Sequence, residues 1–339
     1  MGGGDATNWD EDSYRRTILQ ERELQSQTVF RTAFAPSQNP NPDILVVASS
    51  DGSIAPYSIS SCISTQPMRI NKGRHQQSLA DFSVAEPLCL LRAHNGPAYD
   101  VKFYGDGEDS LLLSCGDDGR IQGWRWKEIL DSEVLVPMQV NHLNPVLNLV
   151  NPQHKGPWGA LSPIPENNAI AIDTQGGCIF SAAGDACAYC WDVETSKVKM
   201  VFRGHSDYLH CVVARKSSNQ IITGSEDGTA RIWDCRSGKC IQVINPENDP
   251  KLKKASSWVS CIAIDTSENW LILAVGAEPF LTRFNINGIV LSQIQCAPQS
   301  AFSASLHPSG VTAVGGYGGL VDVIAEFGSH LCTFRCRGI

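Results

Sequence analysis

The longest apolar runs of this 339-residue sequence, such as Ile44 to Ala48 and Leu271 to Val275, are only strand-sized. A membrane-spanning helix needs about 20 consecutive apolar residues, so no such span is expected. The N-terminus lacks the apolar core of a signal peptide, and MGGGDA puts Ala6 where the myristoylation pattern wants Ser or Thr, which points to an intracellular protein. Positive charge is also short: 27 Lys and Arg face 35 Asp and Glu, for a net charge of −8. Phosphate contacts dominate nucleic-acid affinity and need clustered cations, so a broad nucleic-acid-binding face is not expected. The local exceptions, Lys251-Leu-Lys-Lys254 and the trio Arg69, Lys72 and Arg74, read as solvated loop cations and leave any RNA contact secondary and indirect. Catalytic signatures are missing too. There is no Gly-x-Ser-x-Gly elbow, no phosphate-cradling Gly-Lys-Ser/Thr loop and no His-Glu-x-x-His pair, so neither enzymatic activity nor a cofactor is expected.

Cysteine, by contrast, is plentiful. Thirteen cysteines, an odd number, in a chain without a secretory signal favour reduced and mostly buried thiols. Cys187-Ala-Tyr-Cys190 has the two-residue gap of a zinc knuckle, but it falls on a strand pattern, where positions three apart point to opposite faces. No second such pair exists to complete four ligands, so no metal is expected.

What the sequence does have is a repeat. Arg203 to Arg236 reads RGHSDYLHCVVARKSSNQIITGSEDGTARIWDCR, with a Gly-His pair ahead of a Trp-Asp pair and an Asp-Gly turn between them. This is the pattern of a WD repeat, a four-stranded propeller blade that cannot bury its faces alone and therefore stacks radially into a ring. His205 on the loop leading in, Thr223 on the second strand, Asp227 in the turn and Trp233 on the third strand are expected to form a buried polar relay. Such a network stabilises only when every member is satisfied. These residues are read as scaffold, because a His–Asp pair locked beneath a Trp has no open pocket.

The set recurs upstream. His94, Ser114, Asp118 and Trp124 repeat it, with Arg125 in place of the final Asp. CIFSAAGDACAYCWD supplies Ser181, Asp185, Trp191 and Asp192 without a matching His, which predicts an incomplete relay. Degenerate copies turn at Asp51, Glu278 and Gly318, each an apolar alternating strand, a turn and another strand. IAIDT occurs at 170–174 and again at 262–266. Six repeats are thus recognisable, and a seventh would have to come from an insertion or from the termini. The expected fold is an all-β WD-repeat β-propeller of six or seven blades. A hydrophobic share of 42% with 29 Gly and 18 Pro suits one such turn-rich domain over residues 28–339. Insertions near 63–86, which is polar, and 141–168, which carries several prolines, read as loops. Residues 1–27 read as an acidic and polar extension, where the spacing of Tyr14, Ile18 and Leu24 predicts a short helix.

Together, RGHSDYLHCVV, GSEDGTARIWD and SSWVSCIAIDTSENW resemble the THO complex subunit 6 family, the WD-repeat members of the assembly that couples transcription to mRNA processing and export. The resemblance runs from about Thr28 to Cys336 and is most specific from Val201 to Trp270. It implies a nuclear, non-enzymatic scaffold whose partners are the other THO subunits. The family pattern has seven repeats, and the short passage from SENW to LILAVG points to a missing or altered blade near Trp270.

The sixteen residues from Ile221 to Arg236 also resemble the DWD box of substrate receptors for cullin-4 ubiquitin ligases. That resemblance implies that Asp227, Trp233, Asp234 and Arg236 meet the ligase's adaptor propeller. Arg236 is the discriminating position, since a guanidinium just past the third strand can reach outward as a buried Trp cannot. Cys235 stands where the family has an aliphatic residue, and the similar copy from Ile179 to Glu194 ends in the opposite charge. Plant proteins that join both features are linked with damping abscisic-acid responses. A third reading, a propeller enzyme, requires an open polar channel.

Overall fold

The alternating segments form six sheets in a computed structural model of the protein. The structure describes residues 10–15, 27–37, 41–64, 84–107, 109–131, 140–141, 143–245, 259–264, 270–275, 280–285, 290–298, 300–325 and 329–336. Each sheet is a blade whose main strands follow one another in the chain. Blade 1 comprises Val29–Phe34, Ile44–Ser49, Ser53–Ser58 and Leu90–Arg92. Blade 2 comprises Ala98–Tyr104, Leu111–Gly116, Arg120–Arg125 and Leu147–Val150. Blade 3 comprises Asn167–Asp173, Cys178–Ala183, Cys187–Asp192 and Lys197–Arg203. Blade 4 comprises Leu209–Arg215, Gln220–Ser225, Ala230–Asp234 and Cys240–Ile244. Blade 5 comprises Val259–Ile264, Trp270–Val275, Phe280–Asn285 and Val290–Gln295. Blade 6 comprises Ala301–Leu306, Thr312–Gly316, Leu320–Ala325 and Ser329–Cys336.

The first strand of each blade is innermost. These six strands touch in cyclic order, and blade 6 returns to blade 1, so the ring closes with six blades among the described residues. No blade is missing near Trp270, which opens the second strand of blade 5 and pairs with Asn285. Blade 5 has its four strands around that passage, so no repeat is lost there.

Burial follows the layering. Second strands lie between neighbouring blades and are buried on both faces, as in Cys178–Ala183 and Thr312–Gly316, which explains their nearly unbroken apolar and small residues. The core is accordingly divided into slabs between blades. Phe180 and Phe202 of blade 3 pack with Ile222 and Trp233 of blade 4, while Val29 and Tyr57 of blade 1 pack with Val321 and Phe334 of blade 6. Gly224 shows how close the slabs approach: a Cβ there would stand 2.6 Å from Cys211 Sγ and 2.7 Å from Val259 Cγ1.

The insertions differ from their loop reading. Leu147–Val150, inside 141–168, is the outer strand of blade 2, because Leu147 and Leu149 alternate inward ahead of the proline-bearing stretch. Two short segments also strap neighbouring sheets. Val84–Ala85 lies parallel on Ser329–Cys336 of blade 6, and Val140–Asn141 lies parallel on Leu90–Arg92 of blade 1. Most of the first insertion, with Arg69, Lys72 and Arg74, lies outside the described residues, as do Lys251 to Lys254 and the turn at Glu278. A helix spans 11–15, started by Asp10, whose carboxylate accepts from the Asp12 and Ser13 N–H groups. Ile18 and Leu24 are outside the described residues.

The ring seam between blades 6 and 1 is a hydroxyl clasp on the innermost strands. Ser303 Oγ accepts from Thr32 N at 2.9 Å and lies 3.1 Å from Thr32 Oγ1, which donates to Ser305 Oγ at 3.0 Å. Thr28 adds a bridge to Tyr317.

Candidate functional site

In blade 4 the strand register places Thr223 opposite Arg231 and Ile221 opposite Trp233, so the indole reaches back to the hydroxyl. Trp233 Nε1 donates to Thr223 Oγ1 at 2.8 Å, Thr223 Oγ1 and His205 Nε2 are 2.8 Å apart, and His205 Nδ1 lies 2.8 Å from Asp227 Oδ2. A carboxylate only accepts, so His205 donates from Nδ1 and accepts at Nε2, and the relay runs from Trp through Thr and His to Asp. Burial lowers the His205 pKa, which the facing Asp227 only partly offsets. Burial also works to raise the Asp227 carboxyl, but hydrogen bonds from Thr229 and His205 outweigh it and hold the group at about 2.

These two shifts predict a pH dependence. Both folded pKa values lie below the ordinary ones, so each group contributes stability that is present above its unfolded value and lost as pH falls. Melting temperature is expected to decline first below about 6.5, as His205 takes up a proton in the unfolded chain before the folded one, and again between about 4 and 2, where Asp227 titrates. In Asp227→Asn the lower step should shrink. Thermal melts from pH 8 to pH 2.5 test this, and an unchanged midpoint between pH 7 and pH 5 would contradict the His205 assignment.

Blade 2 forms only part of the relay. His94 joins Asp118 at 3.0 Å and Ser114 at 2.8 Å, but Trp124 Nε1 donates to the Leu143 carbonyl at 3.1 Å instead of to Ser114. An indole has one N–H, and here the backbone of the second insertion takes it. Blade 3 is the reverse case. Trp191 Nε1 donates to Ser181 Oγ at 3.0 Å, and Asp185, expected to lack a His, meets His154 Nε2 at 2.5 Å. The sequence does contain this His, 31 residues ahead of its Asp instead of the 22 and 24 of blades 4 and 2. The extra length is a hairpin from the second insertion, closed by the Lys155–Leu161 bridge and by Gly156 N to Ala160 O at 2.7 Å. At its tip Trp158 sits fully exposed with φ 68°, a backbone region that a bulky residue seldom adopts.

A second buried network links the innermost strands of three blades. Arg31 Nε of blade 1 stands 3.1 Å from Asp100 Oδ1 of blade 2, and Asp100 Oδ2 accepts from Ile170 N of blade 3 at 2.8 Å. Neither residue belongs to a motif, and only the packing of blade 1 on blade 2 brings them together.

The structure separates the four DWD-box residues. Trp233 and Asp227 are used inside the relay, so they are not surface contacts. Asp234 closes its own turn, accepting from Arg236 N at 3.3 Å and from Ser237 N at 3.1 Å and Oγ at 2.5 Å. The Ser237 hydroxyl and the Arg236 N–H lower its pKa. Asp192 plays the same part in blade 3, accepting from Thr195 N at 2.8 Å and Oγ1 at 2.9 Å. Arg236 is left exposed in a turn fixed by Asp234. The zinc alternative gains no geometry: Cys187 and Cys190 are buried on one strand, and no group of three or more metal-ligating side chains converges among the described residues.

The family model for the WD domain, G-beta repeat, matches residues 85–125 and 196–234, over blades 2 and 4. Over 99% of its length the chain is 56% identical to THO complex subunit 6 of Arabidopsis thaliana, of which it covers all. The chain belongs to the THO complex subunit 6 family. Its likeness extends to THO complex subunit 6 of Homo sapiens, at 28% identity over 77% of this chain and 66% of that protein. The Danio rerio homolog is 26% identical over 90% of this chain and 96% of its own length. Both matched stretches carry a His–Asp pair at short spacing, whereas His154 and Asp185 of blade 3 lie outside them.

Proposed function

We propose that this protein is a non-enzymatic scaffold subunit of a THO-type nuclear assembly in mRNA processing and export, and also a substrate receptor that meets the cullin-4 ligase adaptor through Arg236. Full-length similarity to a protein named as a THO subunit supports the first part. Rigid blades that use their His–Asp pairs internally offer supported surface loops for several partners at once. The observation that carries the second part is the division of the DWD box: three members hold the blade together, while the Arg is exposed on a turn already fixed by Asp234. A preorganised guanidinium fork suits carboxylates or carbonyls on a partner propeller. RNA contact is indirect in this reading. In a plant, the receptor role would damp abscisic-acid responses by directing regulators to degradation.

Affinity purification of wild type and Arg236→Ala from nuclei, with partners identified by mass spectrometry, tests both parts. THO subunits are expected with both proteins and the adaptor only with wild type. Adaptor retained by Arg236→Ala, or absent from wild type, would remove the receptor role. Absence of THO subunits from both would remove the scaffold role.

A further inference from the structure

The outermost strand of a blade is a sheet edge whose outward N–H and C=O groups are a template for another strand. This propeller covers two of its edges from within, with Val84–Ala85 parallel on blade 6 and Val140–Asn141 parallel on blade 1. Blade 3 guards its edge with charge: Lys197, Lys199 and Arg203 are exposed along the outer strand, and edge cations discourage pairing. Blade 2 exposes only Asn148 in its four-residue outer strand. In blade 5, Leu291 shares its face with the exposed Gln293 and Gln295.

Blade 4 has none of these protections among the described residues. Its outer strand Cys240–Ile244, CIQVI, contains neither charge nor proline and exposes four of its five residues. Ile241 and Val243 lie two apart, hence on one face, and are 54% and 50% exposed. β-Branched side chains of this kind fit a paired, half-covered strand.

We propose that this edge receives a fifth strand from another THO subunit: an extended segment laid parallel to Cys240–Ile244, with apolar side chains at alternate positions over Ile241 and Val243. The two internal straps set the precedent for both the edge and the direction. Main-chain hydrogen bonds hold such an added strand, and alternate side chains select it. Two copies of this chain pairing the same edge about a twofold axis would run antiparallel, unlike either strap, which favours a different chain. The inference rests on the scaffold reading and is separate from Arg236, which lies in the turn before the strand.

Hydrogen exchange read by mass spectrometry, on the isolated full-length protein and on the THO assembly purified from nuclei through it, decides the matter. Amides of 240–244 are expected to exchange at least about tenfold more slowly in the assembly. The double variant Ile241→Lys, Val243→Lys should melt with wild type and lose that slowing, whereas Leu291→Lys on blade 5 should keep it. THO subunits present with 240–244 exchanging as in the isolated protein would overturn this proposal alone. Absence of THO subunits would overturn it together with the scaffold reading. An isolated dimer dissolved by the double variant would assign the edge to a second copy instead.

Discussion

Asp100→Ala is expected to destabilise the propeller by about 3 to 5 kcal/mol, the cost of removing one partner from a buried ion pair and leaving the other uncompensated. Asp100 is 1% exposed and Arg31 4%, so water cannot readily solvate the orphaned guanidinium. The same carboxylate accepts from Val101 N and from Ile170 N, both at 2.8 Å, so its loss also leaves buried backbone donors unmet in two blades. Three arms separate these contributions in urea or thermal unfolding. Asp100→Asn removes charge but retains an acceptor and should fall between wild type and Ala. Pairing Arg31→Met with Asp100→Leu removes both charges and should recover much of the loss, because a buried pair is often replaceable by apolar packing. A loss below about 1 kcal/mol for Asp100→Ala would show that the pair is solvated and that the packing between blades does not isolate it.

Asp227→Ala and Arg236→Ala, nine positions apart on one blade, should behave oppositely. Asp227 receives His205 at 2.8 Å and Thr229 through both its backbone N–H and its hydroxyl, at 2.9 and 2.6 Å. Its removal leaves the buried His205 Nδ1–H only the more distant Thr229 hydroxyl, at 3.4 Å, and should cost about 1 to 3 kcal/mol. Exposed Arg236 should change stability by no more than about 0.5 kcal/mol while abolishing adaptor binding. Melting curves of the two variants test the stability half. Equal losses would mean that Arg236 supports the turn at Asp234 rather than projecting from it.

Much of this was legible because the WD motif is local. His205, Thr223, Asp227 and Trp233 lie within one repeat, and their spacing alone predicts the contacts the blade makes. The motif alone also predicts Trp124 on Ser114, but an indole donates to the nearest well-placed acceptor, here the Leu143 carbonyl of an insertion. The spacing also hides His154, which a hairpin sets 31 residues ahead of Asp185 and which meets that carboxylate through Nε2, where His205 and His94 use Nδ1. The prolines of 141–168 suggested a loop, although LNLV just ahead of most of them carries the alternation of an outer strand. Arg31 and Asp100 carried no signal at all: their contact exists only once separate blades are assembled, and a lone Arg and Asp on strands look like surface charges.

Among the described residues, neither end completes a main strand of the other's blade: Val29–Phe34 opens blade 1, and Ser329–Cys336 finishes blade 6. The join therefore depends on the Thr32 clasp, the Thr28 bridge, the Val84–Ala85 strap and the apolar slab, instead of on a full ladder of backbone bonds. A circular permutant that links residue 336 to residue 28 through an added linker and is cut between blades 3 and 4 would turn this seam into an ordinary covalent connection and move the break to a place without a strap among the described residues. Pulled apart at residues 28 and 336, the unpermuted ring would part first at blades 6 and 1, and the permutant at its new opening.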